Sequence, residues 1–280
     1  MTRMRAESLT VPTPEVSRTT PRLRAGLCSV TFRHLTPAQV LDVAAASQLA
    51  IIEWGADVHV PSGDLNRAAA VADATAAAGL TVPSYGSYLR LGAADTEENT
   101  DVIATAVALG AHRIRVWAGL VGSAQATPEQ IARVVSDARA LANGAADHGL
   151  TIGLEFHGGT FTDTAPATVE LLERIDRPSV IGTYWQPPEG MSDDDALAGL
   201  ALVAEHVVAV HAFAWWPADQ RHRLAYRASL WSKVAAHLVD HSAATDYLLE
   251  FLVDDDPRVL EVDAHTLRNI LSRPRSDEQP

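Results

Sequence analysis

The sequence predicts a (β/α)8 TIM barrel, an α/β fold built as a single domain. Short apolar runs alternate with alanine-rich amphipathic segments, the alternation occurs eight times, and no hairpin signal joins two successive runs. Strands that alternate with helices form parallel sheets with right-handed crossovers, and eight such units close a barrel. The alternative is an open doubly wound sheet, but the stretch GLCSVTFRHL at the first strand lacks the glycine fingerprint of that fold.

Each strand and helix can be placed in chain order. The strands are predicted at Gly26–Phe32, Ala50–Trp54, Thr81–Tyr85, Arg113–Ala118, Thr151–Phe156, Val180–Tyr184, Val207–Ala212 and Tyr247–Leu252. The helices are predicted near residues 37–48, 64–78, 96–109, 128–148, 165–175, 193–204, 227–239 and 258–271. Thr36-Pro37 and Thr127-Pro128 are typical helix starts. The polar segments 1–24 and 273–280 are predicted as disordered tails around a barrel at residues 25–272.

Composition excludes several classes of partner. The chain has 280 residues with 22 basic and 35 acidic side chains, a net charge of −13, which disfavours extended contact with nucleic acid. No apolar run approaches the roughly 18 residues that a membrane span needs. A single cysteine, Cys28, fits a reducing compartment, so we expect a cytoplasmic protein.

Polar residues end several of the apolar strands. The active site of such a barrel lies at the carboxyl ends of its strands, and Glu155, His211 and Glu250 each follow apolar or glycine positions on the same strand face. One such residue alone would usually be a satisfied core group or, for a glutamate, the partner of a neighbouring arginine. Several on successive strands, together with Gln186, suit a divalent cation, because buried carboxylates need partners.

The stretches IEWG and LEFH, with the polar residues of strands seven and eight, give the chain a resemblance to the xylose isomerase-like barrel family over residues 25–272. That family includes sugar isomerases and epimerases and, more distantly, endonucleases of the endonuclease IV type. The resemblance implies one divalent metal ion held by Glu155, Gln186, His211 and Glu250, with Mn²⁺ expected and Mg²⁺, Co²⁺ or Zn²⁺ as alternatives. It also implies that Glu155 and Glu250 are the catalytic proton carriers of an isomerase or epimerase that acts through an enediolate.

Gln186 departs from the family pattern. The family commonly has an aspartate there with a histidine three residues later, whereas Gln186 is followed by two prolines and Glu189. A glutamine carbonyl oxygen can still bind a metal ion, although the charge of the ligand set falls from −3 to −2. The alternative is that Gln186 only hydrogen-bonds the substrate and that water completes the metal's coordination.

Aromatic and polar side chains near the strand ends predict a pocket for a small carbohydrate. Tryptophan faces stack on the apolar faces of sugars, and histidines and arginines bind hydroxyl or anionic groups. The predicted substrate-binding residues are His59, Tyr85, Trp117, His157, Trp185 and Arg223. The expected substrate is an unphosphorylated sugar, keto-sugar or cyclitol, because no glycine-rich phosphate cradle is visible.

Three other functions stay open. A lyase or dehydratase on a keto-sugar or keto-inositol would use the same enolate. A nuclease would need more metal ligands and a basic groove, and a non-catalytic sugar-binding barrel would follow if Gln186 marks the loss of a metal. The sequence does not define the oligomeric state, for which a homodimer is one option.

Overall fold

The predicted barrel is confirmed by the computed structural model of the chain, which describes residues 23–93, 95–242 and 244–272. Within these residues, eight parallel strands pair in chain order, and β1 pairs with β8 to close the sheet. The strands are β1 (Arg24–Cys28), β2 (Ile51–Gly55), β3 (Ser84–Leu91), β4 (Arg113–Ala118), β5 (Thr151–Leu154), β6 (Ile181–Trp185), β7 (Val207–Ala212) and β8 (Asp246–Leu249).

An α-helix follows every strand and packs on the outside of the barrel. The helices are α1 (Pro37–Ala46), α2 (Leu65–Ala77), α3 (Thr96–Leu109), α4 (Pro128–Ala146), α5 (Ala165–Ile175), α6 (Asp193–Val203), α7 (Ala228–His241) and α8 (Pro257–Ser272). Thr36 and Thr127 cap α1 and α4 through capping boxes, as their sequence predicts. Among the described helices, none is long and apolar enough to cross a membrane.

The bounds of β1 and β3 differ most from the prediction. β1 begins at Arg24, inside the predicted tail, and ends at Cys28, after which Ser29–Phe32 form a 3-10 helix. β3 begins only at Ser84 because Pro83 has no N–H for the strand ladder. The remaining predicted tail residues, 1–22 and 273–280, lie outside the described residues.

The interior of the barrel changes from apolar to polar towards the carboxyl ends of the strands. A small apolar cluster inside the barrel includes Ile51, Tyr184 and Leu248. Gly153 makes room for the ring of Tyr184, since a Cβ there would lie 2.3 Å from the Tyr184 Cε2. The Tyr184 hydroxyl then donates to the carboxylate of Glu53 at 2.8 Å. A buried polar layer therefore lies directly above the apolar one.

Candidate active site

A pocket of about 470 Å³ opens at the carboxyl ends of the strands, where a barrel of this kind carries its active site. Arg115, Glu155, Gln186 and Glu250 line it. Seven of its lining residues carry rings: Tyr88, Trp117, Phe156, His157, Phe213, Trp215 and Phe251. The pocket therefore combines a charged group of side chains with walls suited to a flat or apolar face of a small molecule.

One nitrogen of His211 is the point on which three side-chain oxygens converge. The Nδ1 atom of His211 lies 2.9 Å from Oε1 of Gln186 and 3.3 Å from Oε2 of Glu250. Oε1 of Glu155 lies 3.9 Å from the same nitrogen. These oxygens come from residues at or just after the ends of β5, β6 and β8, so the barrel itself assembles the four side chains that the sequence selects.

The orientation of Glu155 is set by two donors on β4. Nη1 of Arg115 and Nε1 of Trp117 both donate short hydrogen bonds to Oε2 of Glu155. Arg115 and Trp117 are two residues apart on one strand and therefore present their side chains towards the same face. Because both donors use Oε2, the other oxygen of Glu155 stays directed towards His211.

Arg115 also pairs with a second buried carboxylate, that of Glu53 on β2. Nε of Arg115 donates to Oε1 of Glu53 at 2.8 Å, while Ser84 and Tyr184 donate to Oε2 at 2.6 and 2.8 Å. Burial by itself would raise the pKa of Glu53, but Arg115 and His211 outweigh it and hold that pKa below the ordinary value. Burial likewise opposes the charge of Arg115, yet the surrounding glutamates raise its pKa well above the usual range.

The pKa of His211 is raised in the metal-free protein. Burial by itself would lower the pKa of His211, but its contacts with Cys28 and Glu250 outweigh burial and raise the pKa well above the ordinary value. For Glu250, burial is similarly outweighed by the charge of His211, so its pKa is lowered. The Nδ1–H of His211 donates to the Gln186 carbonyl oxygen. A proton on Nδ1 is thus the group that the three oxygens surround.

The same atoms fit a divalent cation. Glu53, Glu155 and Glu250 carry three negative charges against one positive charge on Arg115, which leaves −2 when His211 is neutral. Cys28, His211 and Glu250 place ligand atoms within 4.8 Å of one another. The oxygen and imidazole donors are those that Mn²⁺, Co²⁺ and Zn²⁺ accept. A dication would neutralise the cluster that the His211 proton only partly balances.

Two predicted substrate-binding residues line the pocket. Trp117 and His157 stack with ring centroids 5.2 Å apart and planes inclined by 29°. Nδ1 of His157 lies 2.6 Å from the carbonyl oxygen of Gly158, so it carries the ring proton and leaves the Nε2 lone pair available. His157 therefore presents a hydrogen-bond acceptor.

His59 and Tyr85, also predicted to bind substrate, do not line the pocket. The two ring nitrogens of His59 contact Oγ of Ser29 and the carbonyl oxygen of Leu35, each at 3.0 Å. The Tyr85 hydroxyl donates to the carbonyl oxygen of Val60 at 2.9 Å. Both residues are buried and their polar atoms are already used, so they support the structure beneath the loops.

Trp185 and Arg223 lie away from the pocket for different reasons. Trp185 points out of the barrel towards α7, where its ring meets that of Trp231 edge-on at 6.0 Å. It alternates with Tyr184, which points inward, so strand geometry assigns the two neighbours to opposite faces. Arg223 forms an ion pair of 3.5 Å with Asp263 of α8.

Sequence reasoning did not assign site roles to Glu53, Arg115 or Cys28. The same alternation that selects Glu155 and Glu250 could have selected them, because each occupies the inward face near its strand's carboxyl end. Cys28 is paired in register with Glu53, and its sulfur lies 3.7 Å from Oε1 of Glu53. The signal that the sequence offered was a charged or sulfur-bearing residue at an inward strand position.

Comparisons with known proteins agree with the fold. A family model described as a xylose isomerase-like TIM barrel matches residues 41–245. A 3-dehydroshikimate dehydratase from Bacillus anthracis is 26% identical over 174 residues. That match covers 56% of this chain and 60% of the dehydratase, so the chain aligns with less than two thirds of that relative.

Solved structures share the architecture. A probable 3-DHS dehydratase from Bacillus anthracis superposes with a TM-score of 0.71 at 18% identity, covering 88% of this chain and 99% of the other. A xylose isomerase-like TIM barrel protein from Mycobacterium smegmatis, solved in complex with magnesium, gives a TM-score of 0.68 at 15% identity, covering 89% and 97%. An L-ribulose 3-epimerase gives a TM-score of 0.64 at 16% identity, covering 92% of this chain and 100% of the epimerase. At these identities the likeness establishes the fold.

Proposed function

Because the chain belongs to the xylose isomerase-like TIM barrel family, we propose that it is an enzyme that removes a proton beside the ketone of a small hydroxylated substrate and then expels water. The observation that carries the proposal is the convergence of three oxygens on Nδ1 of His211 beneath an aromatic pocket. The partial match to a 3-dehydroshikimate dehydratase supports water loss as the outcome. The substrate class that fits is a cyclic keto-acid or keto-cyclitol.

Glu155, Gln186, His211 and Glu250 are the residues that would hold a divalent cation, with Mn²⁺ as the first choice for testing. When bound, such a cation supplies Lewis-acid polarisation of the ketone oxygen, which makes the neighbouring C–H more acidic. The amide of Gln186 contributes an oxygen without adding negative charge.

The chain's own groups can move the proton and orient the ring. Glu250 lines the pocket with a lowered pKa, so at neutral pH it is a carboxylate able to accept the proton. His157 presents Nε2 at the wall and can accept a hydrogen bond from a substrate hydroxyl. The proton that Glu250 takes from carbon then leaves with the departing hydroxide as water. Glu155 is held in one orientation by Arg115 and Trp117 and serves first as an anchored ligand.

The pocket walls favour a ring that becomes planar over a flexible open-chain sugar. The Trp117 and His157 rings form a stacked pair on one side, and Trp215 and Phe251 contact each other with centroids 5.8 Å apart. Stacking on such faces strengthens as a ring flattens, which is what water loss from a hydroxylated ketone produces. Arg33 lines the same pocket; its Nε contacts Asp57 and its Nη2 contacts the Tyr88 hydroxyl, so a substrate carboxylate would meet its remaining N–H groups.

The test is incubation in D₂O with Mn²⁺ and three substrates: 3-dehydroshikimate, a keto-inositol and a ketohexose. Mass spectrometry separates the outcomes, because a dehydratase product has lost one water whereas an epimerase or isomerase product keeps its formula and gains solvent deuterium. Glu250→Gln is the inactive control. Deuterium uptake without water loss would replace the dehydratase with the epimerase or isomerase that the family resemblance implies. Tight binding of a substrate with neither change would indicate a non-catalytic binding barrel.

A further inference from the structure

Two loops form one wall of the pocket, and a single arginine contacts both of them. Trp215 lies in the loop after β7 and Phe251 in the loop after β8. Both rings line the pocket, with their centroids 5.8 Å apart. The guanidinium carbon of Arg221 lies 5.2 Å from each of these two centroids. Arg221 itself does not line the pocket, and the proposed proton transfer does not involve it.

The loop after β7 holds Arg221 directly opposite Trp215. The backbones of these two residues form an antiparallel bridge. The Trp216 N–H donates to the Gln220 carbonyl oxygen at 2.8 Å and closes the turn between them. A guanidinium group can stack on an aromatic face while its N–H groups donate hydrogen bonds in its own plane. Arg221 can therefore contact the rings and still bind acceptors on the other loop.

Those acceptors lie in a loop whose backbone is unusual. Nη1 of Arg221 donates to Oδ1 of Asp255 at 2.8 Å and to the carbonyl oxygen of Leu252 at 3.3 Å. In the same loop, Phe251, Asp254 and Asp255 have φ angles of 48°, 57° and 47°. A bulky side chain rarely adopts this left-handed region, so contacts from outside the loop must keep Phe251 in it.

Outside contacts hold the loop after β8 at both ends. The Phe251 N–H donates to Oγ1 of Thr31 at 3.1 Å, which fixes the first residue of the loop. Arg221 fixes the other end through Asp255 and also stacks near the Phe251 ring. Without the guanidinium, the backbone could relax out of the left-handed region, and the Phe251 ring would move away from Trp215.

We propose that Arg221 is a positioning residue that holds Trp215 and Phe251 together as one wall, against which a planar ring packs. The ligand class that such a wall favours is a flat ring acid over a puckered one, because aromatic faces stack best on flat rings. The preference for a flat substrate rests on the proposed function. The role of Arg221 in holding the two loops rests on the contacts alone.

Hydrogen exchange measured by mass spectrometry tests the contact between the loops. Arg221→Met keeps the apolar stem and removes the guanidinium, so amide exchange in residues 250–256 should accelerate at least about tenfold, the scale of one charge-assisted hydrogen bond. Arg258→Met is the matched control. Arg258 pairs with Asp256 in the same segment at 2.7 Å, but its side chain is 90% exposed, so exchange should change less than about twofold. Equal exchange in Arg221→Met and wild type would overturn the proposal.

Calorimetric titration of two ring acids in the presence of Mn²⁺ tests the wall. 3,4-Dihydroxybenzoate is planar, whereas shikimate has a puckered ring. Arg221→Met should weaken binding of the planar acid about 3- to 10-fold, the loss of one aromatic contact, and binding of shikimate by less than about twofold. Equal weakening of both acids, or of neither, would overturn the role of the wall. Wild-type protein that binds neither acid would overturn the proposed substrate class, while the exchange experiment would still decide whether Arg221 holds the two loops.

Discussion

Replacing Arg115 by methionine should destabilise the metal-free protein strongly at neutral pH and much less in mild acid. Arg115 is the guanidinium that contacts both Glu53 and Glu155, so its loss leaves Glu53 buried without a compensating cation from that side. Removing one partner of a buried ion pair costs about 3–5 kcal/mol. The variant can limit this cost by protonating Glu53, which requires about 1.4 kcal/mol for each pH unit above the ordinary pKa of about 4.3. The destabilisation is thereby limited to about 4 kcal/mol at pH 7 and about 1 kcal/mol at pH 5.

The sign of this pH dependence distinguishes the variant from wild type. In wild type the pKa of Glu53 is lowered, so its contribution to stability is present above the ordinary pKa and is lost only as the pH falls through the lower folded value. In the variant, burial is opposed only by His211 and by the hydroxyl donors Ser84 and Tyr184, and we expect the folded pKa of Glu53 to rise above its ordinary value. Its stability is then greatest below the ordinary pKa and decreases as the pH rises.

Urea denaturation followed by tryptophan fluorescence measures the free energy of unfolding at pH 5 and at pH 7. Arg113→Met is the matched control. Arg113 lies 3.4 Å from Asp246, whose other oxygen keeps a pair of 2.6 Å with Arg24, so its removal leaves no carboxylate without a cation and should cost less than the removal of Arg115. If Arg115→Met lost the same free energy of unfolding at both pH values, the reasoning would be refuted. A loss no larger than that of Arg113→Met would also refute it.

Three further predictions concern the proposed metal ion. Glu250→Gln should lower kcat at least about 10²-fold, the usual scale for a proton carrier, and Glu155→Gln should lower it as strongly because it removes a charged ligand; near-wild-type turnover by either would contradict its role. His211→Ala should lose most of the rise in Tm that Mn²⁺ gives wild type; an equal rise in both would remove His211 from the ligand set. Mn²⁺ affinity should increase with pH, because the raised pKa of His211 makes a proton compete for Nδ1, and calorimetry in buffers of different ionisation enthalpy should detect proton release on binding.

Short-range sequence signals predict much of this architecture but only part of the site. Strand–helix alternation and caps such as Thr36 predict the barrel, because each helix and strand must bury one face against the next layer. The group of Glu155, Gln186, His211 and Glu250 follows from strand ends that a closed barrel must bring together. Whether those residues perform the roles assigned to them stays a prediction.

The sequence could not separate inward from outward aromatic residues without the exact strand register. Tyr184 and Trp185 are neighbours, yet one supports Glu53 inside the barrel and the other packs against α7. A shift of one residue exchanges the two faces, so the prediction that Trp185 binds substrate depended on a register that apolar content alone does not fix. Ion pairs are harder to predict from sequence than the direction of a ring. The contact between Arg115 and Glu53, for example, joins β4 to β2 across the barrel interior.

The neutral amide at position 186 is explained by the charges around it. Glu53, Glu155 and Glu250 exceed the charge of Arg115 by two, which one dication balances when His211 is neutral. Gln186→Asp would make the excess three and should tighten Mn²⁺ binding. An aspartate would also hold the Nδ1 proton of His211 more firmly, so the gain should be larger at pH 8 than at pH 6. Titration of Mn²⁺ into metal-free protein at both pH values measures this difference, with wild type as the reference. An unchanged Kd at both would mean that Gln186 is not a ligand and that its carbonyl oxygen serves only to accept the hydrogen bond from His211.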